Sequence, residues 1–262
     1  EAWTNRGLVL VQLRRPEEAL ASYDRALELN VDSADAQYNR GNALRELNRL
    51  DEALANYDRA LTLDPNNFET LTNRAHTLME MRQVDKALES YGQAVAVNSV
   101  FAHAHLNAGI ARLLTGDFAR GWEEFEWRWK SSQLPPRGLG VPQWDGEELA
   151  GKSLLVYGEQ GMGDALQFMR YAPIIKKKYG GRVYIEVRQP IARIARTMGG
   201  IDGVVVFGET VPPEIDYGLP MMSAPRILKT TLDCVPADVP YVHADKNRQA
   251  LFEKEYAKLP FR

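Results

Sequence analysis

Asn39-Arg40-Gly41-Asn42-Ala43-Leu44, followed by Ala53-Leu54-Ala55-Asn56-Tyr57-Asp58-Arg59-Ala60, is the stretch that decides how the chain folds. Its distinctive residues recur at intervals of 34. Gly41 is matched by Gly7, Ala75 and Gly109, Ala53 by Ala19, Ala87 and Gly121, and Tyr57 by Tyr23, Tyr91 and Phe125. Ala60 is matched by Ala26 and Ala94, and Asn39 by Asn5, Asn73 and Asn107. Leu20, Leu54 and Leu88, with Leu27, Leu61 and Val95, add an apolar stripe at helical spacing. Breakers fall between these stripes. Asn48-Arg49 and Thr115-Gly116-Asp117 interrupt hairpins, and Asp64-Pro65-Asn66-Asn67 separates one unit from the next.

A 34-residue period with small residues at fixed points and an aromatic among them is the tetratricopeptide pattern, two antiparallel helices per unit. Gly7 or Gly41 on the first helix is expected to meet Ala19 or Ala53 on the second, with Tyr23 and Tyr57 filling the groove toward the next unit. No unit buries its apolar face alone, so the units must stack and the end units need caps. The reading is an α solenoid over residues 1–131, with four units and further repeats expected before residue 1. The fourth unit ends in Gly121-Trp122-Glu123-Glu124-Phe125-Glu126-Trp127-Arg128-Trp129-Lys130, read as one helix. Its Trp122, Phe125 and Trp129 would form a face that seals the array or docks it on the following domain.

Asn5, Asn39, Asn73 and Asn107 are read as standing three residues into each first helix, on the concave side. A carboxamide both donates and accepts, so such a ladder can grip the backbone of an extended peptide or protein segment whatever its sequence. The plainer reading is that each amide satisfies a neighbouring unit. The adjacent positions Thr4, Tyr38, Thr72 and Leu106 hold no Lys or Arg, which argues against a carboxylate clamp.

With 45% apolar and 26% charged residues, the composition excludes disordered and collagen-like chains. No apolar run approaches the ~18 residues of a membrane span. No secretory signal is visible, so a cytoplasmic protein is expected. A net charge of −3 is unlike the basic surface of a nucleic-acid binder. Cys234 is the sole cysteine. No metal site is expected, because His103 and His105 are too close in sequence to share a helix face.

From about Leu134 the period stops. Residues 132–150, with Leu134-Pro135-Pro136-Arg137-Gly138-Leu139-Gly140-Val141-Pro142, read as a linker. From 151 to 262 strands alternate with helices. Strands are expected at Ser153–Gly158, Arg182–Arg188, Gly203–Phe207 and Tyr217–Met222, and helices at Ala165–Lys178, Pro190–Met198, Pro225–Leu232 and Lys246–Lys258. This alternation predicts a mainly parallel sheet wrapped by helices on both faces, a Rossmann-like layout. Such sheets bind ligands beyond the carboxyl ends of their strands, where Glu159, Gln160, Gly161 and Gly163 fall. The glycines allow positive φ and close backbone approach. Asp164 is read as the helix N-cap. The turn is not a G-x-G-x-x-G fingerprint, so no dinucleotide site is expected.

Four further segments, taken together, resemble a known group. They are Gly121-Trp122-x-x-Phe125-Glu126-Trp127-Arg128-Trp129, Pro142-x-Trp144-x-Gly146, Leu149-x-Gly151-Lys152 and Gly158-Glu159-Gln160-Gly161-x-Gly163-Asp164-x-x-Gln167-Phe168-x-Arg170-Tyr171. From about Gly121 to Asp245 the chain looks like bacterial tetratricopeptide proteins fused to a heptosyltransferase-like domain. The resemblance implies a GT-B glycosyltransferase, of which residues 151–262 form the acceptor-side half. It makes Asp164 the candidate catalytic base, beside an acceptor turn of Glu159, Gln160, Gly161 and Gly163. Pro173 departs from the group, whose proline stands closer to the aspartate. The resemblance also implies a nucleotide-sugar donor for the full-length protein and no cofactor in this segment, which alone would be inactive. The functional expectation is a recruiting array joined to half of a transferase acting on a protein or glycan. The alternative is a non-catalytic interaction scaffold with a degenerate Rossmann domain.

Overall fold

The computed structural model describes residues 1–131, 137–159, 161–212 and 214–257, with Lys246 described by its backbone alone. The chain divides into two compact units, Glu1–Leu134 and Pro135–Arg262.

The first unit is built of helical hairpins. Its helices are α1 (Ala2–Gln12), α2 (Pro16–Leu29), α3 (Ala34–Glu46), α4 (Leu50–Leu63), α5 (Phe68–Glu80), α6 (Val84–Val97), α7 (Ala102–Thr115), α8 (Phe118–Phe125) and α9 (Arg128–Ser131). The small residues sit where the period puts them, with Ala19, Ala53 and Ala87 fully buried. Their glycine partners face a ring rather than these alanines. A Cβ added at Gly41 would lie 2.7 Å from the Tyr57 ring, and one at Gly7 would lie 2.4 Å from Tyr23. The tyrosine therefore packs back on its own hairpin. Tyr23 and Tyr57 also share a core cluster with Leu10, Leu20, Ala43 and Leu44, which joins consecutive hairpins. Each hairpin turns through one left-handed residue, at Arg14, Asn48, Arg82 and Gly116. Of these, Asn48 and Gly116 suit that conformation by residue type. Between hairpins, Ser33 caps α3 and Asn67 caps α5 by accepting the Ala36 and Thr70 N–H groups.

Gly121–Lys130 is not one helix. α8 stops at Phe125 and α9 starts at Arg128, because Arg128 turns its buried guanidinium back to the Phe125 carbonyl and the Glu126 carboxylate. Its guanidinium lies 4.8 Å from the Phe125 ring and 4.6 Å from the Trp129 ring. Trp122 and Trp129 are half-buried.

In the second unit, β1 (Ser153–Tyr157), β2 (Arg182–Val187), β3 (Gly203–Val206) and β4 (Tyr217–Pro220) form an all-parallel sheet in the order β3-β2-β1-β4. Between β1 and β2 lie α10 (Met162–Phe168) and α11 (Tyr171–Tyr179), and between β2 and β3 lies α12 (Gln189–Ala195). The single helix expected at Ala165–Lys178 is broken after Met169. Pro173 has no N–H to give the Met169 carbonyl, and the Ala172 N–H bonds there instead. Pro225–Leu232 contributes only the single turn α13 (Ala224–Ile227), which Lys229 ends with a φ of 52°. Lys246–Tyr256 forms α14.

Among the described residues, the helices with the most extensive packing on the sheet are α11 and α12. α11 packs on β2, and α12 on β2 and β3. The face of Leu155, Tyr184 and Val205 is instead covered by loop residues Leu139, Val141, Val211 and Ile215. Residues 207–216, which lead from β3 to β4, hold no helix among those described. The later part of the expected linker is thus integral to this unit. Trp144 is fully buried, with its indole N–H given to the Glu147 carbonyl, and Gln143 bridges to Gly218.

Candidate functional site

Two places invite a functional reading. The first is the face made by the first helices of the hairpins. α1, α3, α5 and α7 pack on one another in succession, whereas each second helix packs on its own partner and on the following first helix. The helices start earlier than expected, so Asn39, Asn73 and Asn107 are the sixth residues of α3, α5 and α7. The four amides are not equivalent. Asn5 is exposed, and Asn39 gives its N–H to the Asp35 carbonyl of its own helix at 2.8 Å. Asn73 donates to the Tyr38 hydroxyl and to Asn42 Oδ1, each at 3.0 Å, and so ties α5 to α3. Asn107 meets His76 Nε2 at 2.7 Å and ties α7 to α5. Thr4 and Thr72 are buried, and Tyr38 and Leu106 are half-buried.

His76 lies between Asn107 and Arg45, whose NH1 stands 3.5 Å from Nδ1. Burial, then the charges of Arg45 and His103, lowers the His76 pKa and favours the neutral ring. A neutral ring offers one acceptor nitrogen to the two donors that flank it, Arg45 NH1 and the Asn107 amide nitrogen. A recurring arginine was not singled out from the sequence. Arg40 pairs with Asp24 and Arg74 with Asp58, both from one hairpin to the next. Arg6, Arg40 and Arg74 also reach Ser22, Asn56 and Ser90 of their own hairpins. The signal was available, since these arginines follow the same 34-residue period.

The two histidines of α7 are occupied separately. His105 stacks on Trp127 at 3.9 Å and bonds the Ser99 carbonyl, while His103 lies against Phe101. Among the described residues no group of His, Cys, Asp or Glu could hold a metal ion. Among the same residues, no helix is long and apolar enough to cross a membrane.

The second place is the turn after β1. The Gly158 N–H bonds the Glu186 carbonyl on β2 at 3.1 Å, and Glu159 Oε1 accepts the Met222 N–H beyond β4 at 2.9 Å. Gln160 lies outside the described residues. The N-cap of α10 is Gly161 rather than Asp164, because the chain is still extended at Gly161, with φ −73° and ψ 162°. Asp164 is the third residue of α10 and is half-buried, and its Oδ2 accepts the Gly161 N–H at 3.2 Å. Neither glycine takes a positive φ. A Cβ at Gly163 would meet nothing within 4 Å, and one at Gly161 would meet only ordinary contacts. The fold therefore does not require glycine at either position.

Next to this turn stands a charge that the sequence reading passed over. Glu186 is 1% exposed, on the loop-covered face of β2. Arg137 NH2 lies 2.7 Å from its Oε1, while the Arg137 guanidinium sits 4.8 Å from the Phe207 ring. The approach is close but lacks hydrogen-bond alignment, and neither carboxylate oxygen has a hydrogen-bond partner among the described residues. Burial pushes the Glu186 pKa up, with Arg137 opposing it.

Residues 4–68 and 56–89 match models of the tetratricopeptide repeat. Protein FlbA of Caulobacter vibrioides is 33% identical over 70 residues, which are 26% of this chain and 12% of that protein's length. Among solved structures, pilF of Pseudomonas aeruginosa is similar with a TM-score of 0.48 and 24% identity, over 52% of this chain and 62% of that one. MamA aligns with a TM-score of 0.47 and 21% identity, over 49% and 75%. YrrB, a tetratricopeptide protein with an unusual peptide-binding site, aligns with a TM-score of 0.45 and 25% identity, over 50% and 67%.

Proposed function

We propose, on the premise that the first unit is a tetratricopeptide solenoid, that it recruits an extended peptide or protein segment on its concave face. The second unit acts as the acceptor-side half of a GT-B glycosyltransferase whose acceptor is a protein or glycan. The turn after β1 carries this reading. It lies between β2 and β4, where the strand order reverses and where parallel sheets hold their ligands. Its two glycines leave room that packing does not demand. The same strand order supports a Rossmann-like classification. In this reading Asp164 is the general base, beside Glu159, Gln160, Gly161 and Gly163, and the nucleotide-sugar donor belongs to the full-length protein. One observation favours the scaffold alternative, because the Asp164 carboxylate is already engaged by the Gly161 N–H.

Turnover by the full-length protein separates the two readings. Asp164→Asn keeps an oxygen for the Gly161 N–H but removes the base, and is expected to lower turnover by about 10²–10⁴-fold with the fold unchanged. Gly163→Ala, inside a helix, should raise stability slightly and raise the acceptor KM. Full activity of both variants would leave Asp164 its capping bond alone and favour the scaffold.

The ladder has its own test. Asn39 is the cleanest site, since among the described residues its amide bonds only its own helix. Asn39→Ala should weaken binding of an extended peptide, followed by titration calorimetry, without changing helical content. Unchanged affinity would remove the gripping role from that position.

A further inference from the structure

A cavity of about 430 Å³ opens between α12 and the start of α14. The segment that leads into α14 is pinned to the rest of the unit and brings His243 to the cavity. Arg170 donates to the Pro236 carbonyl at 2.9 Å, the Tyr241 hydroxyl donates to the Leu166 carbonyl at 2.7 Å, and the His243 N–H donates to Thr197 Oγ1 at 2.8 Å. Pro190 and Ile194 of α12 and Phe252 of α14 supply apolar walls. Phe252 stacks on Tyr256 at 3.9 Å, which holds its ring as a platform.

The ionisable groups that line the cavity are Arg193 from α12 and His243, Asp245 and Arg248 around the start of α14. Asp245 is committed to capping α14, since Oδ1 accepts the Asn247 and Arg248 N–H groups at 3.0 and 3.2 Å. Gln249, also in the lining, gives its amide to Glu253. Neither Arg193 nor Arg248 enters an ion pair with another described residue. Two arginines therefore line a largely apolar recess whose one acidic residue is already engaged in capping α14. The volume falls within the roughly 300–1,000 Å³ of small-molecule sites.

We propose that this cavity binds a small molecule carrying one anionic group on an aromatic or aliphatic body. The planar fork of a guanidinium suits a carboxylate, sulfonate or phosphate, and the walls take up the apolar body. The site lies apart from the turn after β1 and does not depend on the transferase reading.

Naphthalene-1-sulfonate is a suitable probe, titrated into the 262-residue chain and followed by calorimetry and by amide shifts of α12 and α14. Saturable one-to-one binding is expected, weakened about tenfold or more in Arg193→Gln/Arg248→Gln. Phe252→Ala should weaken the probe while leaving the weaker binding of inorganic phosphate unchanged. All three side chains belong to exposed residues, so circular dichroism should show an intact fold. The proposal is overturned if the probe does not saturate, if the double variant binds it as well as the parent, or if uncharged naphthalene-1-methanol binds equally.

Discussion

Tyr57→Ala should lower the stability of the repeat array by about 3–5 kcal/mol, the usual cost of emptying a buried aromatic site. Tyr57 is fully buried, its ring lies over Gly41, and its cluster spans two hairpins. Its hydroxyl donates to Asn42 Oδ1 at 2.8 Å, and the same oxygen accepts the Asn73 amide from the next hairpin. One substitution thus removes the packing of its own hairpin and an anchor of the following one. Phenylalanine variants separate these contributions. Tyr57→Phe should cost about 1 kcal/mol for the lost hydrogen bond. Tyr23→Phe should be neutral or stabilising, because the Tyr23 hydroxyl is buried without a partner among the described residues, and burial pushes its pKa up to about 12. Urea titration followed by helical ellipticity measures all three. A Tyr57→Ala loss below about 1 kcal/mol, or a Tyr23→Phe variant weaker than Tyr57→Phe, would contradict this account.

The solenoid was legible because its contacts are made by residue types that cannot be exchanged freely. Glycine or alanine must stand where a ring crosses the hairpin, so Gly41 and Tyr57 recur together. The ladder was legible as a row and illegible in its partners. What Asn73 bonds depends on Tyr38 and Asn42, which have no counterparts of the same type in the other units. In the second unit the strands were readable from their apolar runs, but the covering of the sheet was not. One face is closed by loop residues, and loops carry no periodicity from which to infer it. Pro173 held the signal for the break between α10 and α11, since proline favours the first turn of a helix over its middle, but the apolar pattern read through it as one helix. At the turn, residue type alone could not tell an N-cap aspartate from one three residues on that bonds back to the cap. Glu186 was the missed signal. Alternation in Arg182-Val183-Tyr184-Ile185-Glu186-Val187 puts a carboxylate on the same face as Tyr184, and its partner Arg137 lies far away in a segment read as a linker.

That pair yields the second large expected effect. Arg137→Met should destabilise the second unit by about 3–5 kcal/mol near neutral pH, as removing one partner of a buried ion pair does. The reason is the carboxylate left behind. Glu186 is 1% exposed, and when ionised it would have no counterion and no hydrogen bond among the described residues. The dependence on pH follows from the direction of its shift. Burial raises the folded pKa above the unfolded value, so between the two the folded state binds more protons. The stabilising contribution is complete below the unfolded pKa and is lost as pH rises through the folded one. Removing Arg137, which opposes the rise, pushes the folded pKa higher still and extends that loss toward neutrality. The deficit of Arg137→Met should therefore be largest at neutral pH and shrink as the solution is acidified toward the unfolded pKa of about 4.3. Adding Glu186→Gln should restore much of the stability, because the group that needed the arginine is then neutral. Urea midpoints taken across that pH range decide the matter. A deficit independent of pH, or a double variant no more stable than Arg137→Met alone, would show that Arg137 acts through its packing on Phe207 and not through the buried charge.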